Sequence, residues 1–150
     1  MLGSDLGTFT VAATRAENDC DEGALGSPRE FAFDVELARA DTELFWDGRV
    51  GGRLGAALEF EFAASVKVEP RQARGADAGC TILRDDLIAG RLAADDAGDV
   101  TSFSGEMSYA FAEVPESTCT LEERQAAGVP RLPCRSSYTL AGRRTRAPSP

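Results

Sequence analysis

The sequence contains no histidine, a single tryptophan and a single lysine, Lys67. Without histidine there is no imidazole general base, no Ser-His-Asp or Cys-His arrangement and no histidine ligand for a metal. No apolar run approaches the ~20 residues that a transmembrane helix requires. The first residues also lack the basic and apolar regions of a signal peptide. We therefore expect a mature or truncated chain without a transmembrane segment.

Positive charge is also scarce. The 150 residues carry 16 Lys and Arg against 25 Asp and Glu, a net charge of -9. A protein this acidic is repelled by phosphate backbones, and no basic stripe with interleaved aromatic residues offsets that repulsion. We therefore expect no nucleic-acid partner.

The dominant positive feature is period-two patterning between Arg29 and Glu69. Large apolar residues alternate with polar or small ones over residues 31–37 and again over 58–68, which places the apolar side chains on one face of an extended strand. We expect that face to be buried throughout. Weaker alternation predicts further strands over residues 8–15, 42–46, 80–84, 87–93, 103–111 and 134–142.

Turn signals connect these strands. Asp47-Gly48 is typical of a tight hairpin, and the Asp85-Asp86 pair predicts a break between two short strands. Residues 50–68 are interpreted as a single strand bent at its glycines. The longest connection, residues 115–133, is expected to include a helical turn around 121–127.

This pattern predicts an all-β fold. About eight antiparallel strands in a meander form a closed or nearly closed small β-barrel, and a two-sheet β-sandwich is the alternative. The length suits one domain, over residues 1–145, followed by a frayed C-terminal tail over 146–150. An outer-membrane barrel is disfavoured because aromatic residues are few and several strands are short.

The four cysteines have no CxxC spacing, so a zinc site would require four thiolates from distant loops. All lie in predicted loops or at strand boundaries, which favours two disulfides in an oxidising compartment. Because Cys119 and Cys134 flank one connection, we predict the pairs Cys119–Cys134 and Cys20–Cys80, although two other connectivities are possible.

Carboxylates are the remaining candidates for catalysis or metal binding. They are Asp85 with Asp86, Asp95 and Asp96 with Asp99, and Glu59 with Glu61. Adjacent strand residues point to opposite faces, and Glu59 and Glu61 lie on the predicted solvent face, where a pKa is not tuned. The aspartates fit ordinary turns better than calcium loops. We expect no metal, no cofactor and no enzymatic activity.

Aromatic residues are the candidate ligand contacts. A barrel mouth or interior would present Phe31, Phe33, Trp46, Phe60, Phe62, Phe103, Tyr109 and Phe111. The alternative interpretation is that these side chains simply fill the core.

Two resemblances add to this interpretation. Gly7-Thr8-Phe9 with Arg143 and Arg144 after the last strand is similar to the lipocalin and calycin pattern, although that family has tryptophan where this chain has Phe9. The segments around 7–20, 31–44 and 80–92 look like small predicted lipoproteins of myxobacteria. The second resemblance implies a periplasmic or cell-surface protein, lipid-anchored through a segment outside this sequence.

We therefore expect an exported, non-enzymatic binding or interaction domain of the bacterial cell envelope, whose partner is a small apolar ligand or an envelope protein. One alternative is an envelope inhibitor or structural protein that acts through the 115–133 loop. A carboxylate-only enzyme is the third class.

Overall fold

A computed structural model describes residues 4–20 and 29–148. Within these ranges the chain forms eight β-strands and one short helix. The strands are β1 (Ser4–Asn18), β2 (Glu30–Ala40), β3 (Glu43–Trp46), β4 (Val50–Leu54), β5 (Glu59–Arg71), β6 (Cys80–Ala94), β7 (Val100–Glu113) and β8 (Cys134–Arg146), and the helix α1 (Leu121–Ala126) lies between the last two strands.

The strands form a closed barrel in sequence order, each antiparallel to the next, and β1 pairs with β8 to close it. The predicted meander barrel is therefore confirmed, and the two-sheet sandwich is excluded. Strand β8 continues to Arg146, which pairs with Thr8. The last strand thus extends beyond the predicted end at Gly142, and the predicted tail begins one residue too early.

Two strand predictions were wrong. Residues 50–68 form two strands because Gly55 and Leu58 close a turn: the Gly55 N–H donates to Glu59 O and the Leu58 N–H to Gly55 O, with Leu58 at φ 67°. Conversely, β6 runs unbroken through Asp85 and Asp86, since β5 and β7 pair with it on both sides there. The prediction joined β4 and β5 into one strand and divided β6 into two. These two errors cancel, so the predicted number of strands still agrees with the structure.

Apolar side chains pack together in the barrel interior. Its main cluster combines buried residues from every strand: Phe9, Val11, Ala13, Val35, Leu37, Leu44, Leu54, Phe60, Phe62, Leu92, Val100, Phe103, Met107, Tyr138 and Leu140. Phe103 contacts Phe9 and Phe60, each with ring centroids 5.8 Å apart. Packing of this kind is typical of small barrels, in which side chains occupy the space between the strands.

The disulfides join Cys20 to Cys134 and Cys80 to Cys119, so both predicted pairs were wrong. Barrel closure explains the first bond, because antiparallel pairing of β1 with β8 brings the end of β1 to the start of β8. The β6–β7 ladder explains the second, because it brings the start of β6 to the end of β7, after which Cys119 follows.

The connection from β7 to β8 covers one end of the barrel. Val129 is 1 % exposed and packs in a second cluster with Ile82, Phe111 and the cysteines. Helix α1 confirms the predicted helical turn and begins with a capping box between Thr120 and Glu123. The Arg71 guanidinium holds this segment to β5 through Glu123 at 3.0 Å and the Thr118 carbonyl at 2.9 Å.

Candidate binding site: an opening in the barrel wall

The barrel wall is incomplete on one side. Strand β3 pairs with β2 only over residues 37–40, and β4 pairs with β5 only at Phe60 and Glu61. Beyond these pairs, residues 30–35 of β2 and 62–71 of β5 have no ladder partner on their facing edges among the described residues. We call the opening between these two edges the side notch.

The β3–β4 hairpin forms the floor of the notch. Its Asp47 N–H donates to Glu36 O and the Asp47 carboxylate accepts from the Glu36 N–H, both at 2.8 Å. Since the hairpin fills two strand positions between β2 and β5, the notch is about 14 Å wide at its floor, and residues 30–35 make its β2 edge about 20 Å long.

The notch exposes apolar side chains that the sequence pattern predicted to be buried. Val66 and Val68 lie on the inward face of β5, in register with Arg84 and Ile82 of β6, yet they are 40 % and 44 % exposed. Phe60 and Phe62 on the same face are buried. The expectation of one continuous dry face is therefore wrong beyond Phe62, because no strand covers the facing edge of β5 there.

Aromatic rings line the inner wall of the notch. Trp46 contacts Phe62 with ring centroids 5.5 Å apart and Phe33 at 6.0 Å. Phe31 stacks on Phe33 and meets the edge of Tyr138 at 5.0 Å. A pocket of about 180 Å³ opens beside this cluster, between Trp46, Val50, Phe62, Ala63, Ala64, Asp86 and Ile88.

The structure divides the eight predicted ligand contacts into two groups. Phe60, Phe62, Phe103 and Phe111 are buried, whereas Phe31, Phe33, Trp46 and Tyr109 are half-buried. The first group belongs to the two hydrophobic clusters, and the second group packs against them while remaining partly exposed.

A polar cluster that sequence reasoning missed occupies the inward face deeper in the same half. Arg84 donates to both carboxylate oxygens of Asp86 at 2.8 Å, and its guanidinium lies 5.5 Å from the centre of the Tyr109 ring. Burial and the Asp86 carboxylate raise the pKa of Tyr109, and Arg84 partly opposes them. The sequence pattern could have predicted this cluster. If β6 is recognised as one strand, Arg84 and Asp86 alternate in step with Ile82 and Ile88 and so face inward with them.

One buried hydroxyl adjoins this cluster. Ser136 pairs with Tyr109 across the β7–β8 ladder and is 3 % exposed. Its Oγ has no hydrogen-bond partner among the described parts of the chain. The inner wall near Tyr109 therefore keeps one unused hydrogen-bonding group.

The predicted carboxylate pairs do not converge on this site. Asp85 points outward and accepts a hydrogen bond from Ser65 Oγ at 2.6 Å, while Asp86 is bound to Arg84. Glu59 and Glu61 are exposed. Asp95 Oδ1 accepts from the backbone N–H groups of Ala97 and Asp99, so it stabilises its turn.

Among the described residues, one cluster has the composition of a metal site. Asp19, Cys20 and Cys134 place their ligand atoms within 4.8 Å of one another. Both sulfurs belong to a disulfide and so are not thiolate ligands. The Asp19 carboxylate accepts a hydrogen bond from the Arg135 N–H. This cluster is therefore better explained as a structural contact, in which a disulfide and a hydrogen bond join the end of β1 to the start of β8.

Larger depressions also lie elsewhere on the described part of the chain. One of about 330 Å³ is on the outer face of β6, β7 and β8, around Asp85, Ala110 and Arg135. The other, of about 430 Å³, is lined by residues on both sides of 21–28, such as Asn18 and Arg29, and so borders undescribed chain. Neither contains the aromatic cluster.

No family model, curated protein or solved structure matches this chain. In the described ranges, the single short helix is far below the length needed to cross a bilayer. The residues that resemble the lipocalin pattern do meet: Arg144 pairs with Phe9, and its side chain donates to Val100 O at 3.3 Å.

Proposed function

We propose that this protein is a non-enzymatic binding domain of the bacterial cell envelope, and that its binding site is the side notch. One observation carries the proposal: the exposed large apolar side chains on the inward face of the described strands all border the notch. They are Val66 and Val68 of β5 and Val50 of the β3–β4 hairpin. Contiguous exposed apolar surface marks interaction sites because leaving it in water is unfavourable.

The volume of the notch pocket constrains what enters it. Pockets that enclose a drug-sized ligand measure roughly 300–1,000 Å³, whereas this pocket is about 180 Å³. A cavity of about 150 Å³ accepts a benzene-sized molecule. A pocket of this volume suits one apolar group of a larger partner better than an enclosed ligand of the lipocalin kind.

The two disulfides support the location. Disulfides persist in secreted and periplasmic proteins and are rare in the cytosol, and both bonds here fasten elements that are distant in sequence. We therefore propose that the protein acts outside the cytoplasm. Fractionation of cells that express the protein with its native export signals, with thiol labelling of each fraction, tests that part.

The alternative of an inhibitory loop is less well supported. The 115–133 segment packs onto the barrel end through Val129 and is held by Arg71 and the Cys80–Cys119 bond. A loop that inserts into a partner must protrude, and this one covers the protein's own second cluster.

The binding proposal is tested with the uncharged apolar dye Nile red and the fluorescence of Trp46, the only tryptophan. The Ala64→Gln variant places a longer side chain in the pocket at an exposed position and should abolish saturable dye binding. The matched Ala93→Gln variant makes the same change at an exposed outward position of β6 and should bind as the parent does. Equal binding by both variants, or no saturable binding by the parent, would contradict the proposal.

A further inference from the structure

We propose that the occupant of the side notch is an extended peptide that adds as a strand to the open edge of β2, with apolar and basic residues in alternation. This inference rests on the proposed function because it uses the same notch, and it adds the chemical class of the partner.

The backbone of β2 offers hydrogen bonds at the notch. Glu36 directs both its N–H and its C=O toward the hairpin, where Asp47 satisfies them. Backbone groups in a strand alternate in direction with period two, so Asp34 and Ala32 direct theirs to the same side. No described residue bonds to them there. An edge of this kind is the template used when a peptide adds to a sheet.

The inward side chains determine what one face of that peptide meets. Phe31 and Phe33 alternate with the edge-facing residues and are half-buried, with Trp46 against Phe33 at the floor of the notch. A strand beside β2 directs every second side chain to this aromatic face. Apolar side chains at those positions cover the rings of Phe31 and Phe33.

The outward side chains determine the other face. Glu30, Asp34 and Glu36 point to solvent, and residues 30–37 contain no basic residue. Opposite charges on neighbouring strands stabilise pairing, and like charges oppose it. The strand that fits this edge therefore carries lysine or arginine at the positions that alternate with its apolar residues, an attraction that the net charge of -9 reinforces.

The width of the notch gives the inference a specific signature. The opening spans two strand positions at its floor, so a single peptide bonded to β2 leaves its opposite edge unpaired. Every second amide of the peptide faces β2 and the others face solvent. Methylating one alternate set of peptide nitrogens must then block binding, whereas methylating the other set must not.

The experiment uses an acetylated, amidated peptide of about seven residues, matched to the length of the β2 edge, in which lysine alternates with valine. Two further versions carry N-methyl groups on the valines or on the lysines. Titration into the intact protein is followed by Trp46 fluorescence. We expect saturable binding, a loss of about tenfold or more for one methylated version, and a change below about twofold for the other.

Amide exchange locates the contact. Bound unmodified peptide should slow exchange of the Ala32 and Asp34 amides and leave those of Phe33 and Val35, which face β1, unchanged. Equal weakening by both methylated peptides, or no slowing at Ala32 and Asp34, would overturn strand addition.

Charge variants provide the second control. Glu30→Gln combined with Asp34→Asn should weaken the peptide about fivefold. Asp96→Asn combined with Glu122→Gln, which removes the same charge from exposed positions elsewhere, should not. Equal weakening by both variants would mean nonspecific attraction and would overturn the inference. If Nile red binds the parent but not Ala64→Gln while the peptide fails to bind, the inference alone fails; if neither probe binds, the proposed function fails as well.

Discussion

Because of the side notch, we expect the same substitution at two inward-facing valines to lower stability by different amounts. The sequence pattern alone predicts equal losses. Val35 and Val66 both occupy inward-facing positions in strongly alternating strands. In the folded chain Val35 is 1 % exposed and Val66 is 40 % exposed. Val35→Ala and Val66→Ala are therefore the same chemical change at two positions that period-two patterning treats as equivalent.

The expected costs differ because only one site is enclosed. Each substitution removes two carbon atoms, worth about 1.6 kcal/mol of transfer free energy when fully buried. At Val35 a cavity term adds to this, which gives a destabilisation of about 2–3 kcal/mol. Val66 is 40 % exposed, so only about three fifths of the transfer free energy is lost there. Water fills the space left by the two carbon atoms and no cavity term is added, which gives a cost of about 1 kcal/mol or less.

Urea denaturation followed by far-ultraviolet circular dichroism measures both free energies of unfolding. The denaturant slope should remain that of the parent in each variant, which would show that the midpoint shift reports stability. A loss at Val66 equal to that at Val35 would show that the inward face of β5 is covered beyond Phe62. The side notch, and the proposals that depend on it, would then be wrong.

Two further predictions concern the closed end and the interior. Non-reducing peptide mapping should link Cys20 to Cys134. Replacing that pair by alanine should lower the free energy of unfolding by about 1 kcal/mol more than replacing Cys80 and Cys119, because the two bonds span 114 and 39 residues. A larger loss for the Cys80–Cys119 pair would contradict the chain-entropy argument. Because the folded pKa of Tyr109 is raised above 10.0, its contribution to stability is complete below pH 10 and is lost as pH rises through the folded value. Tyr109→Phe should reduce that alkaline loss in pH-dependent denaturation curves, and an unchanged curve would refute it.

Local sequence determined most of the barrel. Alternation in residues 31–37 and 58–62 places Phe31, Phe33, Phe60 and Phe62 on the inner face whatever the rest of the chain does, since side chains in a strand alternate strictly. The Asp47-Gly48 turn fixes the β3–β4 hairpin, because both residues adopt the positive φ that such a turn needs. The capped helical turn after Thr120 is also encoded locally.

Strand continuity was the first feature that local signals misjudged. Asp85-Asp86 resembles a turn in isolation, but pairing with β5 and β7 on both sides makes an extended backbone more favourable there. The segment from Val50 onward resembles one strand, yet it turns at Gly55 and Leu58. In both cases partners distant in sequence decided where the strand ended.

The disulfide pairing and the candidate site depended on tertiary structure even more than the strand boundaries did. Sequence spacing favoured Cys119 with Cys134, whereas closure of β1 on β8 brings Cys20 to Cys134. Period two assigned Val66 to the inner face correctly, but its burial depends on how far β3 and β4 extend, and they stop at Trp46 and Val50. A strand's own sequence determines which way its side chains point; only the length of its neighbours determines whether that face meets protein or water.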